Sequence, residues 1–224
     1  MPSRFDPALL PESPDLTLEI PLWRHHVRHV AGIDEAGRGA LAGPVAAGAL
    51  VLPPDPSIVE RLNGVRDSKQ LTPDQRAFWA IRIKSEALAW GVGFASNLEI
   101  DRLGIVNATR LAGLRALETL QVRTEHLLLD YLFIPESPLP QTSLIKGDSR
   151  SLSIAGASIL AKTARDALLY ELDGRFPGYG FAAHKGYCTR EHLEAIRILG
   201  PCPYHRLSFA PFRLIEEIYQ STEC

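Results

Sequence analysis

A mixed α/β fold is predicted, with strands of both orientations in one sheet flanked by helices. Two short apolar runs, residues 29–34 and 45–52, are joined by a connection short enough for a hairpin. Beyond them, apolar runs alternate with segments of helical period, the pattern of a sheet covered by helices. A 46% apolar share over 224 residues supports one core of ordinary domain size.

Residues 1–22 carry Pro2, Pro7, Pro11, Pro14 and Pro21, too many for a regular element, so an extended leader is expected through residue 28. Residues 29–34 read as a buried strand ending in acids. The run 45–52 is a second strand, closed by Pro53-Pro54, which a central strand would not tolerate. Thr72-Pro73 opens a helix expected to run to about Trp90, with residues 91–95 as a third strand. Asn97 starts a helical stretch with Leu103, Val106, Leu111, Leu114 and Leu117 on its apolar face.

The run LLLDYLF at 127–133 reads as a fully buried strand, and residues 143–146 as another. From Ser151 a long helix carries the stripe Ile154, Ala157, Ala161, Ala164, Leu168 and Leu172. Its opposite face holds Ser158, Lys162, Arg165 and Asp166. A glycine-rich loop at 178–181, a helix at 189–199 and a short helix at 212–219 complete the chain. These elements divide it into the leader, a catalytic domain at 29–175 and a helical C-terminal segment at 176–224.

Composition excludes a disordered, collagen-like or disulfide-stapled chain. Cys188, Cys202 and Cys224 have no zinc spacing and cannot all pair with one another, so free thiols are expected. No apolar run is long enough for a membrane span and no signal peptide is visible, which predicts a cytoplasmic protein. The net charge of −2 does not advertise a nucleic-acid partner.

The acids are more informative. Asp130 inside LLLDYLF is costly to bury, by several kcal/mol if ionised and unpaired. It must pair with a base, bind a metal or stand at the strand end. Asp34 and Glu35 end an apolar strand and run into Gly37-Arg38-Gly39. Strand neighbours face opposite sides, so both reach one site only if the strand ends between them. The glycines allow that turn, and they let backbone N–H groups approach a phosphate or sugar. Asp148, read alone, is a turn or capping aspartate. Together these four carboxylates are what Mg²⁺ or Mn²⁺ requires. Two such ions about 4 Å apart can activate a water and stabilise the leaving oxygen of a phosphodiester.

The strings AGIDEAGRGALAGPVAAGALVL (31–52), Asp67-Ser68-Lys69, KGDSRSLSIAGASILAKTARD (146–166) and HKGY (184–187), followed by HR-SF (205–209), stand in an order that resembles ribonuclease HII. The resemblance implies a ribonuclease H-like mixed sheet flanked by helices, with a small helical C-terminal part closing over the substrate. It implies cleavage of the RNA strand of RNA–DNA hybrids, and cleavage 5′ of a ribonucleotide embedded in duplex DNA, leaving 3′-hydroxyl and 5′-phosphate ends. Asp34, Glu35, Asp130 and Asp148 match the family's four acids, which hold two divalent ions, Mg²⁺ or Mn²⁺. Gly37, Arg38 and Gly39 match the loop that reads the ribose, whose 2′-hydroxyl distinguishes RNA from DNA. Tyr187 matches the tyrosine beside the sugar on the 3′ side.

Lys69, Ser158, Lys162 and Arg165 are candidate phosphate contacts. Lys162 and Asp166 alternatively form an i,i+4 pair, with Asp166 a further candidate for the metal site. His184, His192 and His205 are expected in polar contacts or near phosphates, because Mg²⁺ sites seldom use imidazole. Tyr131 follows Asp130 where the family usually has glycine, and Ala40 stands where it commonly has proline. A monomer is expected. Two other readings are open: a hybrid nuclease without junction preference, and a binding module whose acids are structural. Residues 184–213 carry five Lys or Arg against two Glu. Segregation of charge, more than its total, therefore favours a nucleic-acid partner.

Overall fold

Five strands form one sheet in the order β3-β2-β1-β4-β5 in the computed structural model, which describes residues 10–212. They are β1 (Val30–Ala36), β2 (Val45–Val51), β3 (Ala89–Ala95), β4 (His126–Asp130) and β5 (Gln141–Leu144). β1 to β3 are antiparallel neighbours, whereas β1, β4 and β5 run parallel, so the sheet is mixed as the sequence implied.

Strand alternation separates two cores. Ala31, Ile33, Leu127 and Leu129 meet α5 (Ile105–Glu118) through Ala108, Ala112 and Ala116. On the other face Leu50 and Leu52 meet α6 (Leu152–Arg175) and α3 (Pro73–Glu86). α6 lies so close to the sheet that a Cβ on Gly48 would stand 2.2 Å from the Ala157 carbonyl oxygen. Only glycine fits there.

Several boundaries differ from expectation. The leader is not free of regular structure: α1 (Glu19–Arg24) docks against the start of α6, and Asp15 bridges to Ser151. Glu19 is wholly buried and accepts hydrogen bonds from Ser151 Oγ (2.6 Å), Ser153 Oγ (2.7 Å) and the Ser153 N–H (3.1 Å). Pro21 sits near the start of α1, where a missing N–H costs little.

α3 starts at a Thr72/Gln75 capping box but stops at Glu86, and Trp90 belongs to β3 because Leu50 of β2 pairs with it. The stretch from Asn97 breaks at Gly104 into α4 (Asn97–Leu103) and α5. The most buried face of α5 is its small residues, with Leu111, Leu114 and Leu117 at the margin and Val106 exposed. Small side chains let the helix approach the sheet. β4 stops at Asp130, and Tyr131 is 73% exposed with a left-handed φ of 44°.

β5 ends at Leu144, two residues before the expected limit. α6 is buried on both sides at its start, and Ser158, Arg165 and Asp166 lie inside the protein. α7 (Phe181–His184) and α8 (Arg190–Leu199) follow, and α2 (Ile58–Arg61) is a single turn between β2 and α3. Tyr179, Phe181, Ile196 and Cys202 pack on the end of α6 and on Leu41 and Ala42. Cys188 and Cys202 are free thiols. The expected helix at 212–219 falls, past Phe212, outside the described residues. Among the described residues no helix is long and apolar enough to cross a membrane.

Candidate active site

Asp34 and Asp130 leave neighbouring parallel strands at the same level. Ile33 and Leu129 are the last paired residues of β1 and β4, and the next residue on each strand is an aspartate. Both share the parity of Gly32 and Leu128, which face α6. Asp148 arrives from a third segment. Lys146 takes a left-handed conformation, and the 3₁₀ turn Gly147–Ser149 folds back so that the Gly147 N–H donates to Asp130 Oδ1 at 2.7 Å. Carboxylate oxygens of the three aspartates lie within 4.8 Å of one another.

β1 does not end between Asp34 and Glu35. It keeps its β2 partner to Ala36 and loses only its β4 partner after Ile33. Glu35 therefore flanks the trio of aspartates. Its Oε1 accepts from the Arg38 guanidinium at 3.2 Å, while its buried Oε2 has no hydrogen-bond partner.

Burial, then the charges of Glu35 and Asp130, raise Asp34 well above the usual carboxylate range. Burial pushes Asp130 up to about 6 with help from Asp148, against the Gly147 N–H. Asp148 is raised by burial and by Asp67, and Glu35 by burial against the pull of Arg38. Lys69 Nζ stands 3.8 Å from Asp148 and 3.7 Å from Asp67. Partial burial would lower its pKa, but Asp67, Asp34, Asp148 and Asp130 outweigh that and raise it. A buried oxygen-only donor set with excess negative charge and one orphan carboxylate oxygen fits hard divalent cations.

Gly37, Arg38 and Gly39 lie in the β1–β2 connection. Gly37 has φ 90° and is buried against Arg165, whereas Gly39 is exposed and a Cβ there would meet nothing within 4 Å. Arg165, 0% exposed, donates from Nε to the Pro44 carbonyl, and from its terminal nitrogens to those of Ala42 and Lys185, at 2.9–3.0 Å. It thus ties the β1–β2 connection to the 185–187 loop. The Gly186 carbonyl accepts from the Leu41 N–H at 2.7 Å and reinforces that tie. The Tyr187 ring centroid lies 5.4 Å from Arg165 Cζ and 5.5 Å from Lys162 Nζ, both within cation–π range.

The expected phosphate contacts divide. Lys69 is exposed beside the acids, and Lys162 pairs with Asp166 at 2.7 Å. Ser158 is buried and donates to Ser68 Oγ at 2.8 Å, so it is a packing contact. Arg165 is likewise an internal strut: all three of its guanidinium nitrogens are taken by carbonyls. Asp166 pairs with Lys162 and Arg76 and stands outside the trio of aspartates.

Arg206 is the residue whose role the sequence reading missed, although it stands in the HR-SF string. It is 0% exposed and donates to the carbonyls of Gly43 (2.9 Å) and Arg38 (2.8 Å). Burial and then Arg165 lower its pKa to about 9.

The family model Ribonuclease HII matches residues 31–212. A ribonuclease HII of Synechococcus sp. (strain JA-3-3Ab) is 54% identical over 202 residues, 89% of this chain and 90% of that protein. The ribonuclease HII of Thermus thermophilus is 52% identical over 194 residues, 87% and 92% of the two chains. Among solved structures, the ribonuclease H2 from Pyrococcus horikoshii OT3 superposes with a TM-score of 0.68 at 27% identity, covering 85% of this chain and 98% of the other. The mixed sheet, the converging aspartates and these relatives agree: the chain belongs to the ribonuclease HII family, a metal-dependent endoribonuclease that hydrolyses the RNA strand of RNA–DNA hybrids.

Proposed function

We propose that this protein also cuts 5′ of a single ribonucleotide embedded in duplex DNA, leaving 3′-hydroxyl and 5′-phosphate ends, with two Mg²⁺ or Mn²⁺ ions held by Asp34, Glu35, Asp130 and Asp148. The convergence of three aspartates from three separate segments within 4.8 Å carries the metal assignment, and the junction reading rests on Tyr187 standing in the loop that Arg165 ties to the β1–β2 connection. When bound, the ions supply Lewis-acid polarisation of the scissile phosphate and neutralise developing charge. Asp34, Asp130 and Asp148 would supply the oxygen ligands, and the unpartnered Oε2 of Glu35 would be available to an ion or its water shell.

Arg38 and the open backbone at Gly39 face the ribose, where only a 2′-hydroxyl marks RNA. Tyr187, with Lys162 and Arg165 around its ring, stacks on the adjacent sugar. Lys69 and Lys162 contact phosphates. Residues 29–175 form the catalytic domain, and residues 176–212, packed on α6 and tied to the β1–β2 connection, form the substrate-facing wall. The protein acts on these substrates as a monomer.

The test is cleavage of a DNA duplex carrying one ribonucleotide, alongside a continuous hybrid, with Mg²⁺ and Mn²⁺ titrated separately. Cleavage 5′ of the ribonucleotide in both titrations supports the reading. Activity on the hybrid alone overturns the junction assignment, and no cleavage with either metal overturns the site.

A further inference from the structure

Three histidines form a cluster that the metal site does not use. His192 is 0% and His205 2% exposed, and the rings of His184 and His192 stack at 4.3 Å with 20° between planes. Phe181 meets both of these rings edge-on, at 81°. Burying His192 and His205 and half-burying His184 costs free energy that aliphatic side chains would not, unless every ring nitrogen finds a partner.

Each does, and the partners dictate the tautomers. His192 Nδ1 lies 2.9 Å from the Tyr187 carbonyl, which can only accept, so that nitrogen carries the proton. Its Nε2 is then bare and faces His205 Nε2 at 3.1 Å, so His205 donates. His205 Nδ1 must in turn be bare, and it accepts from the Cys202 N–H at 2.8 Å. His184 Nε2 donates to the Tyr179 carbonyl at 2.7 Å, leaving its Nδ1 to accept from the Gly186 N–H at 3.1 Å. The relay runs from Cys202 through His205 and His192 to Tyr187. A single misplaced proton would break it.

Its endpoints matter. From Lys185 to Tyr187 the main chain is held group by group. The Lys185 carbonyl accepts from Arg165, and the Gly186 N–H donates to His184. The Gly186 carbonyl accepts from Leu41, and the Tyr187 N–H donates to the His184 carbonyl. The Tyr187 carbonyl accepts from His192 and the Thr189 N–H. Lys185 has a left-handed φ of 53°, which a non-glycine residue holds only with such support, and Gly186 follows at 76°, which glycine adopts freely. The Tyr187 ring, flanked by Lys162 and Arg165, projects from this constrained segment.

We propose that His192, backed by His205, and His184 are positioning residues that set the direction of the Tyr187 ring and thereby the preference for an embedded ribonucleotide over a continuous hybrid. The proposal rests on the reading of Tyr187 given above. Both relay histidines are held neutral, since burial lowers each to about 4.

The test compares His192→Phe, His192→Asn and Tyr187→Ala on the two substrates. Phenylalanine keeps the ring and loses the donor, whereas asparagine places an N–H near the position of Nδ1. His192→Phe should lower kcat/KM for the embedded ribonucleotide roughly tenfold more than for the hybrid. His192→Asn should restore the ratio. A merely structural role would lower both substrates together, and that result overturns the proposal. Tyr187→Ala separates the two ideas. If it leaves the substrate ratio unchanged, the Tyr187 reading fails and the proposal with it. If it shifts the ratio while His192→Phe does not, only the relay fails. Should His192→Phe not fold, ¹⁵N ring shifts of the unmodified protein decide. They should report Nδ1–H on His192 and Nε2–H on His184 and His205, and the opposite tautomer on His192 overturns the relay.

Discussion

The guanidinium of Arg165 fills the space where a side chain on Gly37 would stand. A Cβ built on Gly37 would lie 1.9 Å from Arg165 Nε. Two strings far apart in the chain are therefore complementary: a glycine in the β1–β2 connection and a buried arginine on α6. Arg165 cannot retreat without abandoning its three carbonyl partners.

Gly37→Ala should consequently destabilise the fold by about 2–4 kcal/mol, from steric conflict and a left-handed φ together. Gly39→Ala meets open space and should leave stability within about 0.5 kcal/mol while reducing cleavage. Urea denaturation and cleavage assays on the pair separate scaffold from substrate contact. Equal stability of the two variants would remove the Gly37–Arg165 argument.

Asp34→Asn and Asp130→Asn should each lower metal-dependent cleavage by about 10³-fold or more while retaining substrate binding. Burial and then its acidic neighbours raise the Asp34 pKa, so ionising this carboxyl costs the fold stability. Its asparagine variant should therefore melt higher than the unmodified protein when both are metal-free. Mn²⁺ should raise the Tm of the unmodified protein, and chelation should reverse the rise. A lower metal-free Tm for Asp34→Asn would contradict the charge argument.

Glu19 ties the N-terminal segment to the start of α6. It caps the start of α6 with three hydrogen bonds, so Glu19→Ala should cost about 2–4 kcal/mol without altering metal dependence. Equilibrium unfolding measures the loss, and a variant as stable as the parent would mean that α1 does not hold α6.

The His192–His205 pair gives a pH signature. Their folded pKa values, about 4, lie below the ordinary 6.5, so the unfolded chain binds more protons between those values. Their contribution to stability is complete above about 6.5 and is lost as pH falls towards 4. The raised carboxylates of the aspartate cluster act in the opposite sense, so the informative quantity is a difference. The stability of the parent minus that of His192→Phe should fall as pH drops through this window. A flat difference would show that the pair is not held neutral.

Local signals identified most elements. Thr72 and Gln75 announce the start of α3, Ser151 that of α6 and Thr189 that of α8, because each cap is satisfied within a few residues. Boundaries set by partners were not legible. Trp90 joins β3 because β2 lies beside it, and LLLDYLF stops at Asp130 because the chain turns at Tyr131. The proline-rich leader looked structureless because nothing in residues 1–28 announces that Glu19 meets two serines more than a hundred residues away.

By itself the sequence singled out candidates for the chemistry, namely four acids, the Gly37-Arg38-Gly39 string and Tyr187, in an order specific enough to indicate the family. What only the tertiary structure decided is how they are grouped. Asp34, Asp130 and Asp148 meet because β1 and β4 run parallel in register and the Gly147 turn folds back over them, while Glu35 turns to Arg38. Arg165, which the sequence offered to the phosphates, is spent instead on carbonyls beneath the β1–β2 connection. The physical reason is one of range. Residue type and spacing encode local geometry and chemical capacity, whereas burial and long-range hydrogen bonding decide which side chains remain free to act.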